Sequence, residues 1–172
     1  ARVEIRANTA SNSTLMGLNA GRYITTGSGD NAFGSNALAA NTTGSNNNAF
    51  GYGALAANVS GSANNAFGYN ALATTTTAAN NNAFGYNALA ANTNGYYNNA
   101  FGVGSLASNT NGINNNAFGA TALEGNSTGE SNNAFGVGSL ASNTTGRNNN
   151  AIGLNAGRYI ADGATANATA TY

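Results

Sequence analysis

Five carboxyl groups face five guanidinium groups in this 172-residue chain: Glu4, Asp30, Glu124, Glu130 and Asp162 against Arg2, Arg6, Arg22, Arg147 and Arg158. Two carboxylates held a few ångströms apart can divide the roles of general acid and general base. These five are too scattered to promise such a pair. The nearest two, Glu124 and Glu130, stand six residues apart beside a turn and read as a solvated surface couple. The chain has no His and no Cys, so it offers no imidazole base, no thiolate and no common transition-metal ligand set. Calcium-binding repeats carry an Asp in every unit, which this sequence does not. Its glycines lack the Gly-Lys-Ser/Thr and Gly-x-Gly-x-x-Gly contexts that cradle phosphates. The residues therefore predict no catalytic group, no metal ligand and no cofactor, and the chain reads as a non-enzyme.

Aromatic rings are the remaining recognition chemistry. Tyr52, Tyr69 and Tyr86 recur at a 17-residue step, with Tyr96 and Tyr97 at the following turn. A stripe of this kind suits packing within the chain or between chains, and it is also the candidate glycan contact. A column of Thr25, Thr42, Thr76, Thr93, Thr110 and Thr144 suggests a flat threonine face, but its Thr neighbours are consecutive, as in Thr42-Thr43, and would point to opposite sides.

The composition narrows the partners. Formal net charge is zero, and no charged residue occurs from 31 to 123. Binding to nucleic acid or to an anionic membrane surface needs an excess of Lys and Arg, so neither partner is expected. No apolar run is long enough to span a bilayer. The start at Ala1, without Met, fits a processed secreted chain or an excised fragment. Little charge with much Asn, Thr, Ser and Gly would ordinarily predict disorder, but the periodicity argues otherwise.

The sequence Ala-Phe-Gly returns every 17 residues, with Phe33, Phe50, Phe67, Phe84, Phe101, Phe118 and Phe135 preceded by Met16 and followed by Ile152. Leu38, Leu55, Leu72, Leu89, Leu106, Leu123 and Leu140 keep the same step, as does a turn Gly from Gly27 to Gly163 that only Ala78 interrupts. Nine such units without an insertion mean one structural unit stacked on the next. Seventeen residues are too few for a strand, a helix and two loops. The unit is therefore one coil of a β-solenoid with two short strands, and a single helical turn at Ala-Leu-Ala-Ala-Asn is the alternative. In that all-β fold the Phe and Leu columns form the core ladder, one aromatic wide. The Asn before each Ala, from Asn31 to Asn150, suits a turn whose side-chain amides bond to the coils above and below. Like charges stacked in such a ladder would repel, which accounts for the missing ions.

The ends differ from the middle. Gly17-Leu18-Asn19-Ala20-Gly21-Arg22-Tyr23-Ile24 recurs letter for letter as 153–160, with Gly in the Leu column and Ile in place of Asn. These coils, 13–29 and 149–165, read as caps, with Arg22 and Arg158 as edge charges, or as an end-to-end junction that also uses Tyr23 and Tyr159. The shaft spans 13–165, residues 1–12 supply an edge strand through Arg2-Val3-Glu4-Ile5-Arg6, and 166–172 form a strand or tail. Either tail is suited to pairing with a neighbouring chain. Asn-x-Ser/Thr triplets occur at Asn12, Asn41, Asn58, Asn126, Asn143 and Asn167.

The phrases "NNNAIGLNAGRYIADG" and "NNAFGVGSLASNTTG" resemble the Asn-x-Ala-Ile-Gly repeats in the heads of trimeric autotransporter adhesins, and more closely the repeat shafts of phage tail fibres and related bacterial surface fibres. The resemblance covers about 13–165. It implies a β-roll or β-helix shaft in a parallel homotrimer that projects a receptor-binding tip, at a cell surface or on a virion. The sequence departs from the adhesin pattern in its Phe and its longer coil, and it shows no membrane anchor or chaperone domain. The expected function is thus that of an extracellular structural segment whose partner is itself, as homotrimer or as filament, with a surface glycan or receptor as the further partner.

Overall fold

The computed structural model describes residues 12–159, together with the backbone of 5–8 and 167–169. Among these residues the chain is all-β and forms no helix. The strands are β1 (Ile5–Asn8), β2 (Ser13–Met16), β3 (Asn31–Phe33), β4 (Asn48–Phe50), β5 (Asn65–Phe67), β6 (Asn82–Phe84), β7 (Asn99–Phe101), β8 (Asn116–Phe118), β9 (Asn133–Phe135), β10 (Asn150–Ile152) and β11 (Asn167–Thr169). They form one sheet in chain order. From β2 to β10 the pairing is parallel and each residue lies against the one 17 positions on: Asn31 on Asn48, Ala32 on Ala49, Phe33 on Phe50. The result is a β-solenoid of about eight turns.

Each coil holds one short strand, of four residues in the first coil and three in the others, not the two expected, and turns take up the rest. Positive φ angles explain why. In the second coil Gly34 sits at φ 136°, Asn36 at 61°, Leu38 at 51° and Asn46 at 58°. Asn36 and Leu38 are the third residues of overlapping turns closed by Ala37 N–H to Gly34 O and Ala39 N–H to Asn36 O, and a type II turn requires a positive φ there. The Ala-Leu-Ala-Ala-Asn stretch is therefore a run of turns. Gly at the Gly34 column answers a second demand: a Cβ on Gly34 would lie 2.5 Å from the Gly51 carbonyl oxygen of the next coil.

Leucine in the left-handed region costs about 1–2 kcal/mol, yet it recurs from Leu38 to Leu140 at φ 51–52°. Complete burial of each of these side chains offsets that cost by about 1.5–3 kcal/mol. In the terminal coils Gly21 and Gly157 occupy this column at φ 55° and 60°, which removes the strain. Leu15 then restores the lost bulk at the N-terminal end. It stands in the column of Ala32, and its Cδ2 would be 2.6 Å from a Cβ on Gly21.

The interior consists of Ala, Leu and Asn. The Ala32 and Leu38 columns are buried throughout. The Phe column, expected inside, lies instead on the outer wall: Phe33, Phe50, Phe67, Phe84 and Phe101 are half-buried, and Met16, Phe118, Phe135 and Ile152 are more exposed. Within Asn-Ala-Phe, successive side chains point to opposite sides, so Ala and Phe cannot both face inward. The coil gives the interior to the small residue because Leu and two Asn columns already fill it.

Backbone edges at the ends are covered by the chain's own tails. β1 pairs antiparallel with β2, Ile5 against Met16 and Asn8 against Ser13, and β11 continues the parallel ladder beyond β10, Asn150 against Asn167. β1 shares Ile5 and Arg6 with the strand expected over Arg2 to Arg6, and both tails pair within this chain. Arg2, Val3, Glu4, Ile160, Asp162 and Gly163, as well as the shaft boundary at 165, lie outside the described residues.

Candidate functional site

Three amide ladders and two aromatic columns are the organised side-chain arrays on this rod. The outer ladder is the one expected, but it runs along the strands and not in a turn: Asn31 Nδ2 donates to Asn48 Oδ1 at 2.8 Å, and the pattern repeats to Asn133 on Asn150 at 2.7 Å. Two more ladders run inside the coil and were not expected from the sequence. In one, Asn58 Nδ2 donates to Asn41 Oδ1 at 3.0 Å and to Gly61 O at 2.9 Å, and Asn126 repeats the step to Asn109 at 2.9 Å. In the other, Asn64 N–H donates to Asn47 Oδ1 at 3.1 Å while its Nδ2 donates to Ala78 O at 2.8 Å. Buried amides persist only when such bonds are made. The readable signal was the triplet Asn46-Asn47-Asn48, of which a turn and an outer ladder need only two members.

Asp30 closes both inner ladders at their N-terminal end. The bonds that link one ladder Asn to the next are donated toward lower residue numbers, so the first Asn of each ladder needs an acceptor. Asp30 Oδ1 accepts the Asn47 N–H at 2.8 Å and Oδ2 accepts from Asn41 Nδ2 at 3.0 Å. A carboxylate has acceptors only, which suits this position. Burial pushes the Asp30 carboxyl above its ordinary range, and the bonds from Asn47 and Asn41 pull part of that shift back. This acid is committed to the fold. Glu130 meets Arg147 of the next coil at 4.0 Å on the surface, a pair worth little, and Glu124 stands exposed in a different column. The described residues contain no cluster of three or more His, Cys, Asp or Glu.

The Phe rings stack from Phe33 to Phe135 with centroids 4.7–5.0 Å apart and planes within 11°. Tyr52, Tyr69 and Tyr86 stack 5.3 Å apart, about half exposed. Stacked rings cover one another's faces, so the Tyr stripe offers edges and hydroxyls, whereas a sugar packs against an open ring face. Tyr96 stands in the column of Glu130 and Arg147, away from the stripe. The Thr column is tied to the coil wall: Thr25 and Thr42 hydroxyls each donate to the next coil's carbonyl at 3.0 Å.

At both ends the Arg-Tyr pair takes the same local form. The Arg22 guanidinium lies over the Tyr23 ring at 5.3 Å and Arg158 over Tyr159 at 5.7 Å, and each Nη1 also donates to the Asn three residues back. Their tyrosines are exposed. Of the Asn-x-Ser/Thr positions, Asn41, Asn58, Asn126 and Asn143 are wholly buried, while Asn12 is exposed.

No family model, curated protein or solved structure matches this chain.

Proposed function

We propose that this chain is a non-catalytic structural segment of an extracellular fibre, of the kind found in phage tail fibres and bacterial surface adhesins, and that it holds a host- or surface-binding tip away from an anchor. The observation that carries this reading is the unbroken register. Backbone pairing, three amide ladders and stacked rings all advance by the same 17 residues, so the coils form a strut roughly 40 Å long at the usual strand spacing. Asp30 and the stacked Asn amides are spent on that register. The resemblance in the repeat supports a parallel homotrimer as the working assembly. Immunogold labelling of the source cells or particles tests the reading: label along external fibres is expected, and label confined to cell interiors would overturn it.

A second reading is a self-assembling filament joined end to end through the terminal coils or tail strands. The sheet order ends at β1 and β11, whose outer edges are the places where a further strand could add. Negative-stain microscopy separates the two, since short discrete rods favour the fibre segment and continuous polymers favour the filament.

A further inference from the structure

We propose that the face formed by the Phe and Tyr columns is the surface on which a second copy of this chain docks, an inference that rests on the reading of the rod as a self-associating strut. Phe50 and Tyr52 both point out of the coil, two residues apart across Gly51, while Ala49 and Gly53 are buried. The two columns therefore run side by side, at most about 7 Å apart. Among the described residues, four large apolar side chains of the Phe column and seven of the Tyr column, from Leu18 to Leu154, are at least 36% exposed. With roughly 200 Å² for a large side chain, they leave on the order of 1,000 Å² of apolar surface on one side of the rod. A standard interface uses about 800 Å² per partner, and a lone monomer seldom exposes more than about 600 Å² in one patch.

The charges lie elsewhere. Arg22, Glu124 and Arg158 share a column six residues beyond the Phe column, and Glu130 and Arg147 share one five residues before it; the Arg22 and Arg158 side chains reach back to Asn19 and Asn155 at the two ends, and neither the Phe nor the Tyr column holds a charged residue. The outer Asn ladder forms a polar margin beside it. An aromatic centre without charge and a polar rim is the composition of an interface. The face is also flat: successive Phe planes turn by 4–11°, against about 20–25° between ordinary strands. A flat strip with a ridge every 4.7–5.3 Å is matched by an object with the same step over the same length, and another copy of this chain has both.

The test is the mass of the wild-type chain and of Tyr69→Ser/Tyr86→Ser in solution at micromolar concentration, by light scattering coupled to size exclusion. The wild type should run as a discrete multimer and the double variant as a single chain with an unchanged circular dichroism spectrum. A monomeric wild type, or a double variant that keeps the multimeric mass, would overturn the docking face. Should the double variant lose its β spectrum, Val137→Asp gives the same readout from a different coil. A rod of monomeric mass in micrographs removes this face and leaves the strut reading standing, whereas a multimer that is not a rod does the reverse.

Discussion

Thr75 occupies the place from which an asparagine would donate to Asn58 Oδ1, and that oxygen is a buried acceptor with no partner. In the same coil Ala78 replaces the turn glycine. The two changes belong together: a Cβ on Gly61 would lie 2.5 Å from Asn58 Oδ1, and one on Gly44 2.6 Å from Asn41 Oδ1, so a methyl at this position needs the shorter Thr side chain beside it. The Ala78 coil also meets its neighbour less closely. Thr76 N–H to Thr93 O measures 3.4 Å where the equivalent bonds of other coils measure 2.8–3.1 Å.

Thr75→Asn alone is therefore expected to gain nothing or to lose stability, because the new amide meets the Ala78 methyl. Combined with Ala78→Gly it should complete the inner ladder and add about 1–3 kcal/mol, the cost of an unsatisfied buried acceptor. Urea denaturation of the four-member cycle measures this coupling. Additive single effects would show that the ladder gap and the methyl are unrelated.

Leu89→Ala should cost about 2–5 kcal/mol, as expected for a leucine truncated inside a closed core. Phe84→Ala removes a half-buried ring from an outer stack and should cost the isolated chain about 1–2 kcal/mol. The order of the two melting temperatures, measured on a monomeric background such as Tyr69→Ser/Tyr86→Ser, checks which column is interior. A larger loss for Phe84→Ala would place the Phe ring inside.

Gly68→Ala places a Cβ against the Gly85 carbonyl at a φ of 145°, where both the backbone and the coil spacing forbid it. The expected loss is on the order of 3 kcal/mol or more, visible as a large drop in melting temperature. Ala73→Ser, at a partly exposed position of the same coil, is the control and should shift it little.

Asp30 makes stability depend on pH with a definite sign. Its folded-state pKa lies above the ordinary value of 3.8 because the carboxyl is buried, so the folded state favours the proton. The resulting stabilisation is complete below the unfolded pKa and is lost as pH rises through the folded value. Thermal unfolding should therefore show a fall in stability from about pH 3 toward neutrality, and Asp30→Asn should flatten that fall. An identical slope in the variant would mean that another group is responsible.

The step of 17 residues, the parallel stacking, the outer Asn ladder and the absence of stacked charge were all legible in the residues, because a fixed period places like on like whatever the details of the coil. Ala78 was legible as an exception too, though its partnership with Thr75 was not. The exchange of Leu for Gly at Gly21 and Gly157 could be read as a change in bulk, while its cause, a left-handed φ shared by the whole column, could not. Hydrophobicity ranks Phe above Ala for the interior, and one-dimensional patterning cannot say which phase of Asn-Ala-Phe faces inward.

The closed coil answers that question. Overlapping turns at Asn36 and Leu38 close a narrow coil whose inside already holds Leu38, Asn41 and Asn47, and a stack of phenyl rings is too bulky to join them. The order of residues thus dictates what repeats and how often. Folding determined which side of the wall each column lies on, because that depends on the cross-section the turns enclose, and the cross-section exists only once the chain has come around to meet itself.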